Sequence, residues 1–321
     1  MSLPLGIGLV GLGRWGRNYL GTLLALPECR LVAVADPNPL ARVAVTDLAG
    51  VETHGSVEEM LSSPSIEAVV IATPDRTHYV LAGAALASGR DVLVEKPMAL
   101  TPAEAESLLE QAESEKRVLA VGHTAVYQAG FAELASEVRT WPTAADRRAT
   151  AVRTSSGYTD GRSNPILDLC PHDVALAVLL FGIPVSARAR TDGSRVEYQM
   201  RFAHGALLNG QAEWCQPPHV REFRVAGARH TLGNKAHVTE PSDVRSTPLG
   251  RQCLDFVECC RTRRQPVSSG RVGRAVVDCL SALGSSCADS GAWVQISPGF
   301  RKSNTECRAL NTAAPEMEVR A

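Results

Sequence analysis

The sequence predicts two domains: an α/β domain whose parallel sheet is wound by helices on both faces, then an α+β domain built on a large, mostly antiparallel open sheet. Three observations predict this. Short apolar runs alternate with helical stretches from Leu5 to Val121, the pattern of repeated β-α units. After Gly122-His123 the pattern changes to extended segments with turn signals between them. A chain of 321 residues with 45% hydrophobic content is long enough for two cores.

The first strand is expected at residues 5–10, a short apolar run leading into Gly11-Leu-Gly13-Arg14-Trp15-Gly16 and a helical stretch over 17–26. Strand, G-x-G-x-x-G and helix in that order form a dinucleotide-binding loop. The first glycine allows the turn, the second lets a pyrophosphate approach the backbone, and the third lets helix and strand pack closely. A second strand at 31–35 ends at Asp36, about 20 residues past the last glycine, where a carboxylate holds a ribose diol and repels a 2′-phosphate. The expected cofactor is therefore NAD in preference to NADP. Residues 39–49 and 57–61 read as helices, 66–71 as a strand, 79–88 as a helix, and 91–94 as a strand closed by Glu95-Lys96-Pro97. Thr101 is the expected N-cap of a helix over 102–115, and 118–121 is the last strand. Such units make a Rossmann dinucleotide-binding domain over residues 1–122. Ligands of these sheets lie beyond the carboxyl ends of the strands, where Gly11, Asp36, Thr73 and Lys96 all fall.

In the second half, strands are expected at 148–154, 184–191, 195–202, 206–214 and 220–226. Val196, Tyr198, Met200 and Phe202 share one face of a strand, with Glu197, Gln199 and Arg201 on the other. Asp192-Gly193 and His204-Gly205 mark hairpin turns. A helix over 164–181 precedes the long strands, and amphipathic helices at 249–263 and 272–288 close an α+β substrate and oligomerisation domain over 123–296. Residues 297–321 lose periodicity and are expected to form a flexible tail. The open sheet is expected to pair with a second copy, giving a homo-oligomer.

Composition narrows the function classes. A formal net charge of −1 gives no electrostatic footprint for nucleic acid. No run of eighteen apolar residues suggests a membrane span, and the first residues lack the basic start of a signal peptide, so a cytoplasmic protein is expected. Nine cysteines without a C-x-x-C pair fit scattered thiols in a reducing compartment. Only four of the 33 basic residues are lysines. A lysine at a motif position is correspondingly informative.

The chemistry concentrates in Asn164-Pro-Ile-Leu-Asp168-Leu-Cys-Pro-His172-Asp173. On one helix, Asp168 and His172 would project from the same face with Cβ atoms about 5–6 Å apart. A carboxylate beside an imidazole makes a proton acceptor near neutral pH. Taken alone, the pair also fits a capping aspartate and an ordinary histidine; Pro171 makes the backbone irregular in either case. Asp173 points about 100° away on a helix and is read as structural. Without a second histidine cluster, no metal site is expected.

These residues together resemble the Gfo/Idh/MocA oxidoreductase family. The resemblance runs from Gly6 to about Ile296 and rests on the glycine loop, Ala72-Thr73-Pro74 with His78, Glu95-Lys96-Pro97, Gly122-His123-Thr124, and Asp168 with His172-Asp173. It implies a nicotinamide cofactor held by Gly11, Gly13, Arg14, Trp15, Gly16, Asp36, Thr73, Pro74, His78, Glu95, Lys96 and Pro97. It also implies hydride transfer at a secondary alcohol or ketone carbon of a sugar, cyclitol or nucleotide-linked sugar, with Lys96, Asp168 and His172 catalytic. His123, Tyr127, Arg153, Tyr158 and Asn164 are candidates for holding the substrate. Asp75 stands where the family often has Asn, and Ser163-Asn164 where it often has Gly-Gly. Two other functions share the fold: a glycosidase that oxidises and re-reduces its substrate with bound NAD, and a non-catalytic NAD-binding regulator.

Overall fold

Leu5-Gly-Ile-Gly-Leu-Val10 is buried at every residue, as a strand covered on both faces must be, and forms β1 (Leu5–Val10). The computed structural model describes residues 3–141, 147–156, 164–233 and 243–296. They divide into two units, the first made of described residues up to 124 together with those from 243 to 274, the second of the described residues between 125 and 233 together with 275–296.

In the first unit β1 is followed by α1 (Arg14–Ala25), β2 (Cys29–Ala35), α2 (Pro39–Val43), β3 (Glu52–His54), α3 (Val57–Leu61), β4 (Ala68–Ile71), α4 (His78–Ala87), β5 (Asp91–Val94), α5 (Pro102–Ser114) and β6 (Leu119–Val121). All pairings are parallel and the order is β3-β2-β1-β4-β5-β6. The order reverses between β1 and β4, which opens a crevice at their carboxyl ends. The glycine loop lies there. Gly11 has φ +93°, and a Cβ on Gly16 would stand 2.0 Å from the Gly11 carbonyl oxygen, so neither position accepts a side chain without backbone movement.

The second unit contains α6 (Phe131–Arg139), β7 (Arg148–Ser155), α7 (Pro165–Asp168), α8 (Cys170–Phe181), β8 (Pro184–Thr191), β9 (Arg195–Phe202), β10 (Leu207–Trp214), β11 (Arg221–Val225) and β12 (Thr231–Gly233). The chain then forms α9 (Pro248–Thr262), α10 (Gly270–Ala288) and β13 (Val294–Gln295). Seven strands form one sheet in the order β12-β11-β7-β10-β9-β8-β13, antiparallel except for the β7–β10 pair. Along β9, Val196, Tyr198, Met200 and Phe202 are buried, and the alternate residues face the other side. On that side Arg188 Nε donates to Gln199 (2.8 Å), Gln199 Nε2 donates to Asn209 (2.7 Å), and the Arg188 and Arg201 guanidinium groups lie over the Trp293 ring.

The structure departs from the sequence expectations at several places. The helix expected over 39–49 stops at Val43 and continues as turns. Four elements were not expected: the short strands β3, β12 and β13, of three residues or fewer and without an apolar run, and α6, whose Phe131, Leu134, Ala135 and Val138 form a buried stripe at helical spacing. The helix expected over 164–181 is broken at Leu169 into α7 and α8. The domain boundary expected at 122 lies close to the end of the first segment, but residues 243–274, placed in the second domain from sequence, belong to the first unit. Phe256, Val257, Cys253 and Cys260 of α9 join the core that contains Tyr19 and Leu23. Helical periodicity shows that α9 has a buried face, but not which sheet buries it.

Candidate functional site

The first unit gathers polar groups at the carboxyl ends of β1, β2, β4 and β5. Helices α2, α3 and α5 begin with side-chain caps from Asn38, Ser56 and Thr101, the last completed as a capping box by Glu104. At α1 the N-cap is Gly13, without a side-chain cap and with no acidic residue in the first turn. A Cβ built on Gly13 would meet nothing within 4 Å, so the backbone there is open to close approach by a ligand. Unsatisfied N–H groups and the positive end of the helix dipole suit a pyrophosphate. Asp36 follows β2; its Oδ2 accepts from Leu12 N (2.7 Å) and its Oδ1 from Asn38 N (2.8 Å), which fixes the carboxylate at the mouth of the glycine loop. Arg42 Nη1 donates to the Asp36 carbonyl oxygen at 2.5 Å. These residues fit the adenosine and pyrophosphate portions of NAD.

After β5, Glu95 turns inward and Lys96 is half-buried. Glu95 Oε1 accepts from Tyr19 Oη (2.8 Å), Oε2 accepts from Lys96 N (3.1 Å), and Gln252 Nε2 of α9 donates to Tyr19 Oη (2.7 Å). Burial pushes the Glu95 carboxyl up, while the Lys96 charge and these donors pull it back. Gly122 leaves room for this carboxyl: a Cβ there would stand 2.6 Å from Glu95 Oε1. His123, after β6, is fully buried with Nδ1 2.8 Å from Ser268 Oγ. Burial and the Lys96 charge push it down to about 3, so its ring is neutral. Thr73 Oγ1 pairs with Thr77 Oγ1 (2.7 Å), and both nitrogens of buried His78 face main-chain carbonyl groups.

In the second unit the motif is set by caps and a break. Asn164 Oδ1 accepts from Leu167 N (3.0 Å) and caps α7, whose final residue is Asp168. Pro171 lies in the first turn of α8, where a missing N–H costs no helical hydrogen bond. His172 therefore starts a new helix instead of continuing that of Asp168. Trp214 Nε1, at the end of β10, donates to Asp168 Oδ2 (3.1 Å). Asp173 is fully buried and takes a two-bond fork from Arg153, Nε to Oδ2 at 3.0 Å and Nη2 to Oδ1 at 2.6 Å. Burial pulls the guanidinium down and Asp173 more than offsets this, holding Arg153 above its ordinary value.

The sequence candidates thus separate. Asp173, read as structural from sequence, is fully buried and spends both carboxylate oxygens on Arg153. Arg153, a substrate candidate from sequence, instead spends a buried fork on Asp173. Asn164 spends its side-chain oxygen on capping α7, Tyr127 is buried, and Tyr158 lies outside the described residues. Sequence reasoning missed Trp214, Tyr19, Gln252 and Ser268 as partners. Each lies far in the chain from the group it touches, and no local spacing announces the contact. Among the described residues no group of three His, Cys, Asp or Glu side chains is arranged to hold a metal ion. No described helix is long and apolar enough to cross a membrane.

Residues 5–123 match the family model described as the Gfo/Idh/MocA oxidoreductase family, NAD-binding Rossmann fold. The match lies within the first unit and covers its strands β1 to β6. Curated relatives of the chain include an uncharacterized oxidoreductase, YdgJ, of Escherichia coli K12, 32% identical over 195 residues that make up 58% of this chain and 56% of the relative. Another is UDP-N-acetylglucosamine 3-dehydrogenase of Acidithiobacillus ferrooxidans, 31% identical over 192 residues, 57% of this chain and 56% of the relative. The chain spans little more than half the length of these relatives. The solved structure of GenD2 from gentamicin A biosynthesis, in complex with NAD, shares the fold over 93% of this chain and 98% of its own, with a TM-score of 0.80 and 24% identity. The match spans residues of both units.

Proposed function

We propose that this protein is an NAD-dependent oxidoreductase that transfers a hydride between the nicotinamide and a secondary alcohol or ketone carbon of a sugar, cyclitol or nucleotide-linked sugar. The observation that carries the reading is Lys96. In a chain with four lysines, one stands at the carboxyl end of β5 in a dinucleotide-binding sheet, directly after a buried carboxyl held by Tyr19. When bound, NAD supplies the hydride acceptor.

The protein residues supply the rest. The glycine loop and the α1 N-terminus hold the pyrophosphate, and Asp36 holds the ribose diol. The Asp36 charge disfavours a 2′-phosphate, so NADP is the poorer cofactor. Lys96 donates a hydrogen bond to the substrate oxygen and stabilises negative charge developing there. His172 takes the hydroxyl proton as the hydride departs. Asp168, steadied by Trp214, favours the imidazolium that results. Names among the relatives support the substrate class, including inositol 2-dehydrogenase of Streptomyces avermitilis and the UDP-N-acetylglucosamine enzyme already described.

The face carrying Arg188, Gln199 and Asn209 supports pairing with a second copy of the chain, and the eight unpaired described cysteines support a reducing, cytoplasmic location. The test is a screen of cyclitols, free sugars and nucleotide sugars for NAD reduction, read at the nicotinamide absorbance. One class should yield NADH in stoichiometric amounts. Substrate consumption without NADH release, across all classes, would contradict a dehydrogenase.

A further inference from the structure

His78 opens α4 and is 1% exposed. Its ring lies between main-chain carbonyl groups from two different turns: Nδ1 is 2.7 Å from the Pro97 oxygen, and Nε2 is 2.8 Å from the Thr73 oxygen. A carbonyl oxygen only accepts, so each contact needs an N–H on the ring, and a neutral imidazole has one. Only the imidazolium satisfies both carbonyls. Burial opposes that charge and pushes His78 below its ordinary value. The two carbonyls and Asp75, in the short turn before α4, favour the charge; Lys96, after β5, opposes it. The position therefore offers acceptors for two protons while burial disfavours the second.

We propose that His78 is a positioning residue that straps the Thr73–Pro74 turn to the Lys96–Pro97 turn, with one strap made by the neutral ring and both made when it takes up a second proton. With one proton, the second nitrogen turns a lone pair toward a carbonyl oxygen, and the turn on that side relaxes. With two, both turns are held by one rigid ring. The two turns carry Thr73 and Lys96, so the setting of Lys96 depends on a proton held at another residue. The consequence for turnover rests on the proposed role of Lys96, whereas the strap is a property of the first unit alone.

The test uses the full chain labelled with 15N, with NMR spectra recorded from about pH 8 to about pH 4, a range that extends well below the ordinary histidine value. His78→Gln supplies an amide that does not titrate. In the wild type, the His78 ring should convert from one N–H to two as the pH falls. The Thr73 and Lys96 backbone amide signals should move with the same midpoint. In His78→Gln those two signals should lose that midpoint. A ring that keeps a single N–H throughout overturns the proposal, as does titration of Thr73 and Lys96 that is unchanged in the variant. The wild-type titration alone can overturn it, so the test stands even where the variant does not fold. No turnover is read, so failure of the dehydrogenase reading would leave the result intact.

Discussion

At the scale of single residues, burial of titratable groups has a direct consequence for stability. His123 is pushed down to about 3 in the folded protein, against an ordinary value near 6.5. Above about pH 6.5 it is neutral in both folded and unfolded chains and has no effect. As the pH falls below that, the unfolded chain takes up a proton that the folded chain refuses, and stability is lost progressively toward about pH 3. The limiting loss is roughly 5 kcal/mol. The unfolding free energy of the wild type should therefore fall more steeply between about pH 7 and about pH 4 than that of His123→Gln. Denaturant titrations at several pH values measure this, and parallel curves would remove His123 as the cause. The placement of the glycine loop, Asp36 and Glu95-Lys96-Pro97 at strand carboxyl ends was legible in the sequence because it depends on local patterning. The fork between Arg153 and Asp173 was not. Arginine twenty residues before an aspartate has no signature until the sheet brings them together.

Among elements, the break between α7 and α8 matters most. Pro171 foretold irregular backbone, but a sequence alone leaves open whether a proline bends a helix or begins a new one. Here it begins one, and α7 is left as a single turn whose only side-chain cap is Asn164. Asn164→Ala should cost about 1 kcal/mol. Because Asp168 is the last residue of that turn, turnover should fall by more than the stability loss alone explains, and Asn164→Ser, which retains a cap, should restore most of it. Paired unfolding and kinetic measurements decide this, and unchanged turnover in Asn164→Ala would show that α7 does not set Asp168. Strands with long buried runs, such as β1 and β2, were readable from hydrophobicity. β3 was not, since three partly exposed residues on a sheet edge carry no such run.

For the whole molecule, the order of elements announced the architecture, while the destination of one segment escaped it. Residues 243–274 return to the first unit, and Gln252 of α9 completes the hydrogen-bond chain through Tyr19 to Glu95. The dinucleotide domain is thus finished by residues from the far end of the chain, which no reading of contiguous segments would assign to it. The central claim is the proposed one, that Lys96 and His172 each serve hydride transfer without being needed to hold NAD. The measurement that tests it most directly is hydride transfer alongside NAD binding in Lys96→Met and His172→Ala, with the substrate found by the screen. Both variants should bind NAD within about twofold of the wild type and lose at least about 10²-fold in turnover. Turnover near the wild-type rate in either variant would contradict the account.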